Sequence, residues 1–130
     1  VVSVLLAFGN YDPSSASPND SSGNVQVTCT AVTLGLTVSY VIKLSAGNGA
    51  SFSPRKMASG GNNLNYNIYT DAGHSSIWGD GTGGTSTVSD SYSGSILTRT
   101  LNYTVYGRIP ASQNAAVGVY GDSITVTVEY

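Results

Sequence analysis

Apolar residues alternate with polar ones along most of this chain, and no segment of useful length carries a helical period. The C-terminal residues show it most clearly. Ser123 to Tyr130 reads S-I-T-V-T-V-E-Y, with Ile124, Val126, Val128 and Tyr130 on one side and Thr125, Thr127 and Glu129 on the other. A period of two marks a half-buried β-strand, because successive side chains leave opposite faces of the pleat. With nothing after it in the sequence, such a strand either pairs within the chain's own sheet or awaits a strand from another chain. Pairing within the chain is the commoner arrangement for a terminal strand.

The same alternation places the other elements. Val1 to Phe8 reads as a first strand, closed by the turn residues Gly9 to Pro13, with a polar loop over residues 14–23. Val25, Val27 and Cys29 line a second strand, and Val38, Tyr40, Ile42 and Leu44 a third. Residues 45–63, rich in Gly, Ser and Asn, read as loop around Phe52 to Met57. Leu64, Tyr66 and Ile68 alternate again, and Ile77-Trp78 is a short apolar touch inside a second long loop over 72–94. Residues 95–106 form a long strand with Leu97, Leu101, Tyr103 and Val105 on one face, before a proline break over Gly107 to Ala111. Ala115 to Tyr120 is extended, and Ser123 to Tyr130 closes the chain. Tyr40, Tyr66 and Tyr103 fall inward, Tyr69 and Tyr106 outward, and Tyr11 and Tyr120 beside turns. Roughly seven strands separated by turn signals predict an all-β sandwich. Without crossover helices its strands are antiparallel. One domain over residues 1–130 accounts for the length, with no linker and no internal repeat.

Composition narrows the function classes. Charged residues make up 9% of the chain, against about 25% in an average soluble domain. Ser, Thr, Asn and Gly supply the polarity, which suits an extracellular setting. Nine tyrosines and the aliphatic runs argue against disorder. Five basic residues and a net charge of −2 leave no footprint for nucleic acid. The one adjacent basic pair, Arg55-Lys56, is assigned to a solvated loop. No stretch approaches the roughly 20 apolar residues of a membrane span, and Val1 to Phe8 is too short and lacks the basic flank of a signal peptide.

Catalytic and metal signals are weak. His74 is the only histidine, and its spacing to Asp71 or Asp80 carries no triad information. Zinc would need more ligands than the chain supplies. The run W-G-D-G-T-G-G over Trp78 to Gly84 lacks both the P-loop lysine and the EF-hand spacing. It reads as a glycine turn beside a packed tryptophan. Asp71 and Asp80, each beside glycine, are read as turn residues. The sequons at Asn19 and Asn102 are expected by chance in an Asn-rich chain. No enzyme, cofactor or metal is expected. Cys29 stands alone on the Val25/Val27 face, as a buried thiol or as half of a disulfide whose partner lies upstream of residue 1.

Eight segments in order carry a resemblance: A-F-G-N-Y-D-P from Ala7, V-Q-V-T-C from Val25, Y-V-I-K-L-S-A-G from Tyr40, P-R-K-M from Pro54, L-N-Y-N-I-Y-T-D from Leu64, I-W-G-D-G from Ile77, Y-G-R-I-P-A-S-Q from Tyr106 and G-V-Y-G-D-S-I-T-V-T-V from Gly118. Together they resemble the spore coat protein U domain, a family that includes subunits of archaic, Csu-type chaperone–usher pili. The resemblance implies an incomplete immunoglobulin-like antiparallel sandwich that lacks its last strand and is completed by a donor strand in trans. It implies three kinds of partner: a periplasmic chaperone that lends a strand, an outer-membrane usher, and neighbouring subunits that replace the chaperone. The products are secreted surface fibres serving adhesion and biofilm formation, and there are no catalytic residues to carry over.

As groove lining the resemblance implies Ile124, Val126, Val128 and Tyr130, with Val2, Val4 and Leu6 as the opposite wall. Two departures stand out. Such subunits carry a donor segment before the first strand, whereas this sequence starts within that strand. They also carry a cysteine just ahead of A-F-G that pairs with the one matching Cys29. Both departures are read as trimming at the N-terminus rather than as a tip position. The alternatives are a tip adhesin or glycan- or surface-binding module using the loops over 45–63 and 72–94, and a structural protein of a spore coat.

Overall fold

The computed structural model describes residues 2–5, 8–30, 37–93 and 98–130, with side chains from Phe8 onward. Leu6 and Leu97 lie outside the described residues. Ten strands follow in order: β1 (Val2–Leu5), β2 (Asn10–Tyr11), β3 (Asn19–Thr30), β4 (Thr37–Leu44), β5 (Arg55–Ser59), β6 (Asn62–Tyr69), β7 (Val88–Ser93), β8 (Thr98–Ile109), β9 (Gly118–Val119) and β10 (Val126–Glu129). They form a five-stranded sheet in the order β1-β3-β8-β6-β5, a three-stranded sheet β10-β4-β7 and a small β2-β9 ribbon. Every ladder is antiparallel.

The period-two pattern explains the core between the two larger sheets. Val25 and Val27 of β3, Leu64, Tyr66 and Ile68 of β6, and Val105 and Ile109 of β8 come from one face. Tyr40, Ile42 and Leu44 of β4 and Tyr92 of β7 come from the other. Trp78 is fully buried, and its indole N–H donates to the Ile42 carbonyl at 3.1 Å.

Several elements differ from the sequence reading. β3 begins at Asn19, inside the expected polar loop, because β8 runs on to Ile109 and supplies a full ladder partner. Asp20 and Arg108, opposite each other there, form a two-pronged pair at 2.7 and 2.9 Å. β5 lies within the expected loop 45–63 and pairs with β6 across a Gly60-Gly61 turn. β7 lies within the expected loop 72–94 and adds the outer strand beyond β4. Only Gly118 and Val119 of the extended 115–120 segment join a ladder. Tyr11, placed beside a turn, is core: it is 3% exposed, and its hydroxyl accepts from the Gln113 N–H at 3.0 Å. The terminal strand is paired within the chain, Val126 with Leu44 and Val128 with Ile42.

The largest correction concerns Arg55. It is not solvated but 0% exposed, while its neighbour Lys56 is exposed. Its Nε and Nη2 donate to the Ser45 carbonyl at 3.0 and 2.7 Å, and Nη2 also donates to the Trp78 carbonyl at 2.7 Å. Nη1 donates to Asn67 Oδ1 at 3.0 Å, and the guanidinium lies 5.1 Å from the Phe52 ring centre. A second polar link ties the sheets together. Tyr103 of β8 donates to Asp90 Oδ2 of β7 at 2.7 Å, which leaves Tyr40 of β4 to donate to the Tyr103 hydroxyl.

Arg55→Met should lower unfolding free energy by about 3 kcal/mol, since it strands the buried Trp78 carbonyl and Asn67 and the half-buried Ser45 carbonyl. Urea titration followed by Trp78 fluorescence measures this, and Arg55→Lys should recover only part of the loss. The Asp90 carboxyl is held below the usual carboxylate range by the Tyr103 hydroxyl and the Ser91 N–H. A depressed folded pKa stabilises above the ordinary value of about 3.9 and stops doing so as pH falls through the lower folded value. Asp90→Asn should therefore shrink the drop in urea midpoint between neutral and strongly acidic pH relative to the parent.

Candidate functional site

β10 pairs with β4 along one edge only; among the described residues its other edge has no ladder partner. Along it, Ile124, Val126 and Val128 are half-buried and pack on the core, whereas Thr125, Thr127 and Glu129 are exposed. The outer row is pinned to the neighbouring strand by an ion pair of Lys43 with Glu129 at 2.8 Å. In the other large sheet β1 is the end strand, joined among the described residues only to β3, with Val2 opposite Val27 and Val4 opposite Val25. Phe8, after β1, and Ile124, just before β10, line one cavity together with residues of β4, β5, β6 and β8.

That cavity holds about 480 Å³. Its walls include Phe8, Leu44, Met57, Ile68, Val105 and Ile124, and its polar end is Tyr66 with Asp122. The Tyr66 hydroxyl donates to Asp122 Oδ2 at 2.6 Å, while Asp122 Oδ1 accepts from the Asn48 and Ser123 N–H groups, both at 2.8 Å. Burial first, and the bond to Asp122 second, push the Tyr66 phenol pKa well above its ordinary value. Gly47 makes room for this arrangement: its φ is +79°, and a Cβ there would sit 2.1 Å from the Asp122 carboxylate. Asp122 was missed in the sequence, where a lone acid after Gly121 carries only a turn signal.

The sequence-derived residues are thus brought together in part. Ile124, Val126 and Val128 form one row, and the Val2 and Val4 backbones occupy register positions on the end strand of the facing sheet. Tyr130 stands apart: it is 98% exposed, beyond the last ladder pair, in a shallow recess with Ser39, Asp90 and Ser91. Cys29 is a free, half-buried thiol packed on the core. His74 packs edge-on against Tyr69, with Nε2 3.9 Å from Asp20 Oδ1. Asp71 and Asp80 spend their carboxylates inside their own turns, on Ser75 and Ser76 and on Thr82 respectively. Among the described residues no three His, Cys, Asp or Glu stand close enough to hold a metal ion, and no helix is long and apolar enough to cross a membrane.

Comparison with known proteins agrees with this architecture. A solved relative in fold is a chain of the CsuC–CsuE chaperone–tip adhesion subunit pre-assembly complex from the archaic chaperone–usher Csu pili of Acinetobacter baumannii. It aligns with a TM-score of 0.56 and 23% identity, over all of this chain and 40% of its own length. This chain therefore spans about two-fifths of that neighbour, and the two share an all-β, antiparallel, immunoglobulin-like fold. In sequence, Protein U of Myxococcus xanthus is 32% identical over 133 residues, covering 96% of this chain and 71% of that protein. The family model for the spore coat protein U domain matches residues 1–127. On that match and that identity, the chain belongs to the spore coat protein U domain family.

Proposed function

We propose that this protein is a structural subunit of a secreted bacterial surface pilus, built by donor-strand exchange and serving adhesion and biofilm formation. One observation carries the reading. The half-buried row Ile124, Val126 and Val128 lies on β10, whose outer edge has no ladder partner among the described residues, over a core that opens into a cavity. An added strand would satisfy the open backbone groups of β10, and its apolar side chains at alternate positions would cover that row. Val2, Val4 and Leu6 would form the facing wall, and Tyr130 would join the row only where the added strand reaches past the ladder. The fold shared with a chaperone–usher pilus protein supports the partners that this implies: a periplasmic chaperone before assembly, an outer-membrane usher, and neighbouring copies in the fibre.

The pairing expected for Cys29 has a geometric counterpart. If an upstream segment kept the register in which Val2 faces Val27, the position immediately before Val1 would fall opposite Cys29. Directly opposed antiparallel residues lie roughly 4.5–5.5 Å apart at Cα, within disulfide range. A cysteine at that position would be placed to pair with Cys29.

Residues 1–130 should be compared alone and with an alternating apolar strand fused after Tyr130 through a flexible linker. The fusion should raise Tm by roughly 10 °C, as a few kcal/mol does in a domain of this size. It should also shield amides of β10 from hydrogen exchange. A bare chain that is a stable monomer and gains nothing from the added strand overturns the reading.

A further inference from the structure

Asp122 sets a chemical condition on whatever fills the groove. Its carboxylate lines the apolar cavity at the Ile124 end of the open edge and is already half-buried. Among the described residues the acids with a cationic partner are Glu129, paired with Lys43, and Asp20, held by Arg108 with His74 beside it; Asp122 has none within ion-pair distance. Its bonds come from two backbone N–H groups and one phenol, all neutral. A carboxylate offers about four lone-pair sites, and among the described residues Oδ2 accepts from Tyr66, which leaves room for a second donor.

A strand carrying only aliphatic side chains would cover this end with hydrocarbon. It would strip water from a charge that has no cation in contact with it, which is unfavourable. A long side chain with an apolar stem and a cationic tip avoids that cost. Its stem would lie against Phe8, Leu44 and Ile124, and its tip would reach Asp122. The exposed Val119, 67% accessible at the rim of the cavity, would extend the apolar contact for the stem.

We propose that the Asp122 end of the groove selects a lysine or arginine at one inward position of the strand it accepts, and rejects an acidic residue there. This rests on the donor-strand reading above and adds a specificity rule to it.

The test uses the whole chain with short synthetic strands of alternating valine and threonine. One inward valine at a time is replaced by leucine, lysine or glutamate, walking along the strand. Binding is read by fluorescence anisotropy of labelled peptides to the parent chain, to Asp122→Asn and to Tyr66→Phe, with Trp78 emission checking that each variant is folded. At one position lysine should bind about tenfold more tightly than leucine, with glutamate weakest. Asp122→Asn should erase that preference, and Tyr66→Phe, which leaves the carboxylate, should keep it. If peptides bind but leucine equals or exceeds lysine at every position, or if the preference survives Asp122→Asn, the specificity rule is wrong. If no peptide binds in any register, the donor-strand reading falls, and the rule falls with it.

Discussion

Arg55 brings a positive charge into the centre of the protein with no carboxylate within ion-pair distance among the described residues. Main-chain carbonyls hold it instead: Ser45, which follows β4, and Trp78, in the segment bridged to β6. Asn67 of β6 adds a third acceptor. The guanidinium therefore fastens both large sheets through backbone positions that no ladder joins. Its reach extends to the C-terminal strand, because Ser45 N–H donates to the Thr125 carbonyl at 2.9 Å and Thr125 N–H donates to Ser45 Oγ at 2.8 Å. β10 is thus aligned at its start by a segment that the buried cation has already fixed.

That alignment allows an edge to be open without being loose. Four ladder positions hold β10 to β4, a short run for a strand exposed along one side. The Ser45–Thr125 exchange and the Lys43–Glu129 pair brace its two ends. Asp122 adds a further brace, tying the turn before β10 to Asn48 and Tyr66. The inner row is therefore presented in a fixed register. Register matters for any added strand, because a slip of one residue turns its whole apolar set to the wrong face.

Legibility in the sequence followed side-chain contrast. Where apolar and polar residues alternate cleanly, as in Val38 to Leu44 or Leu64 to Ile68, strand and face were readable together. β3 from Asn19 to Asn24 and β7, V-S-D-S-Y-S, were not, because their polar residues carry no period and the strands exist through their neighbours' ladders. Arg55 was hidden for another reason. Burial of an arginine depends on carbonyls gathered from residues 45 and 78, and no local pattern reports such a convergence. The row Ile124, Val126 and Val128 was visible as alternation, whereas an edge without an outer neighbour was an expectation carried by the family resemblance alone. The polar end of the cavity was not visible, since Asp122 gains its meaning only through Tyr66 and Gly47, both distant in sequence.

The remaining sheet edges bear on why this one is open. Exposed edges invite unwanted pairing, and proteins blunt them with charge, brevity or cover. With 9% charged residues, this chain has little charge to spend on the task. β5 is covered at Ala58, where a two-bond bridge to Gly121 occupies its outer side at 2.9 and 3.0 Å. β7 carries the exposed polar residues Ser89, Asp90 and Ser91, with Asp90 accepting from the Tyr103 hydroxyl. β10 has no such protection on its inner row, where Ile124, Val126 and Val128 follow one another without a polar interruption. A fold that bridges β5 to Gly121 and lines β7 with Ser and Asp leaves, among the described residues, the apolar edge of β10 without a neighbour beside a cavity, and that contrast is what the proposed donor-strand exchange rests on.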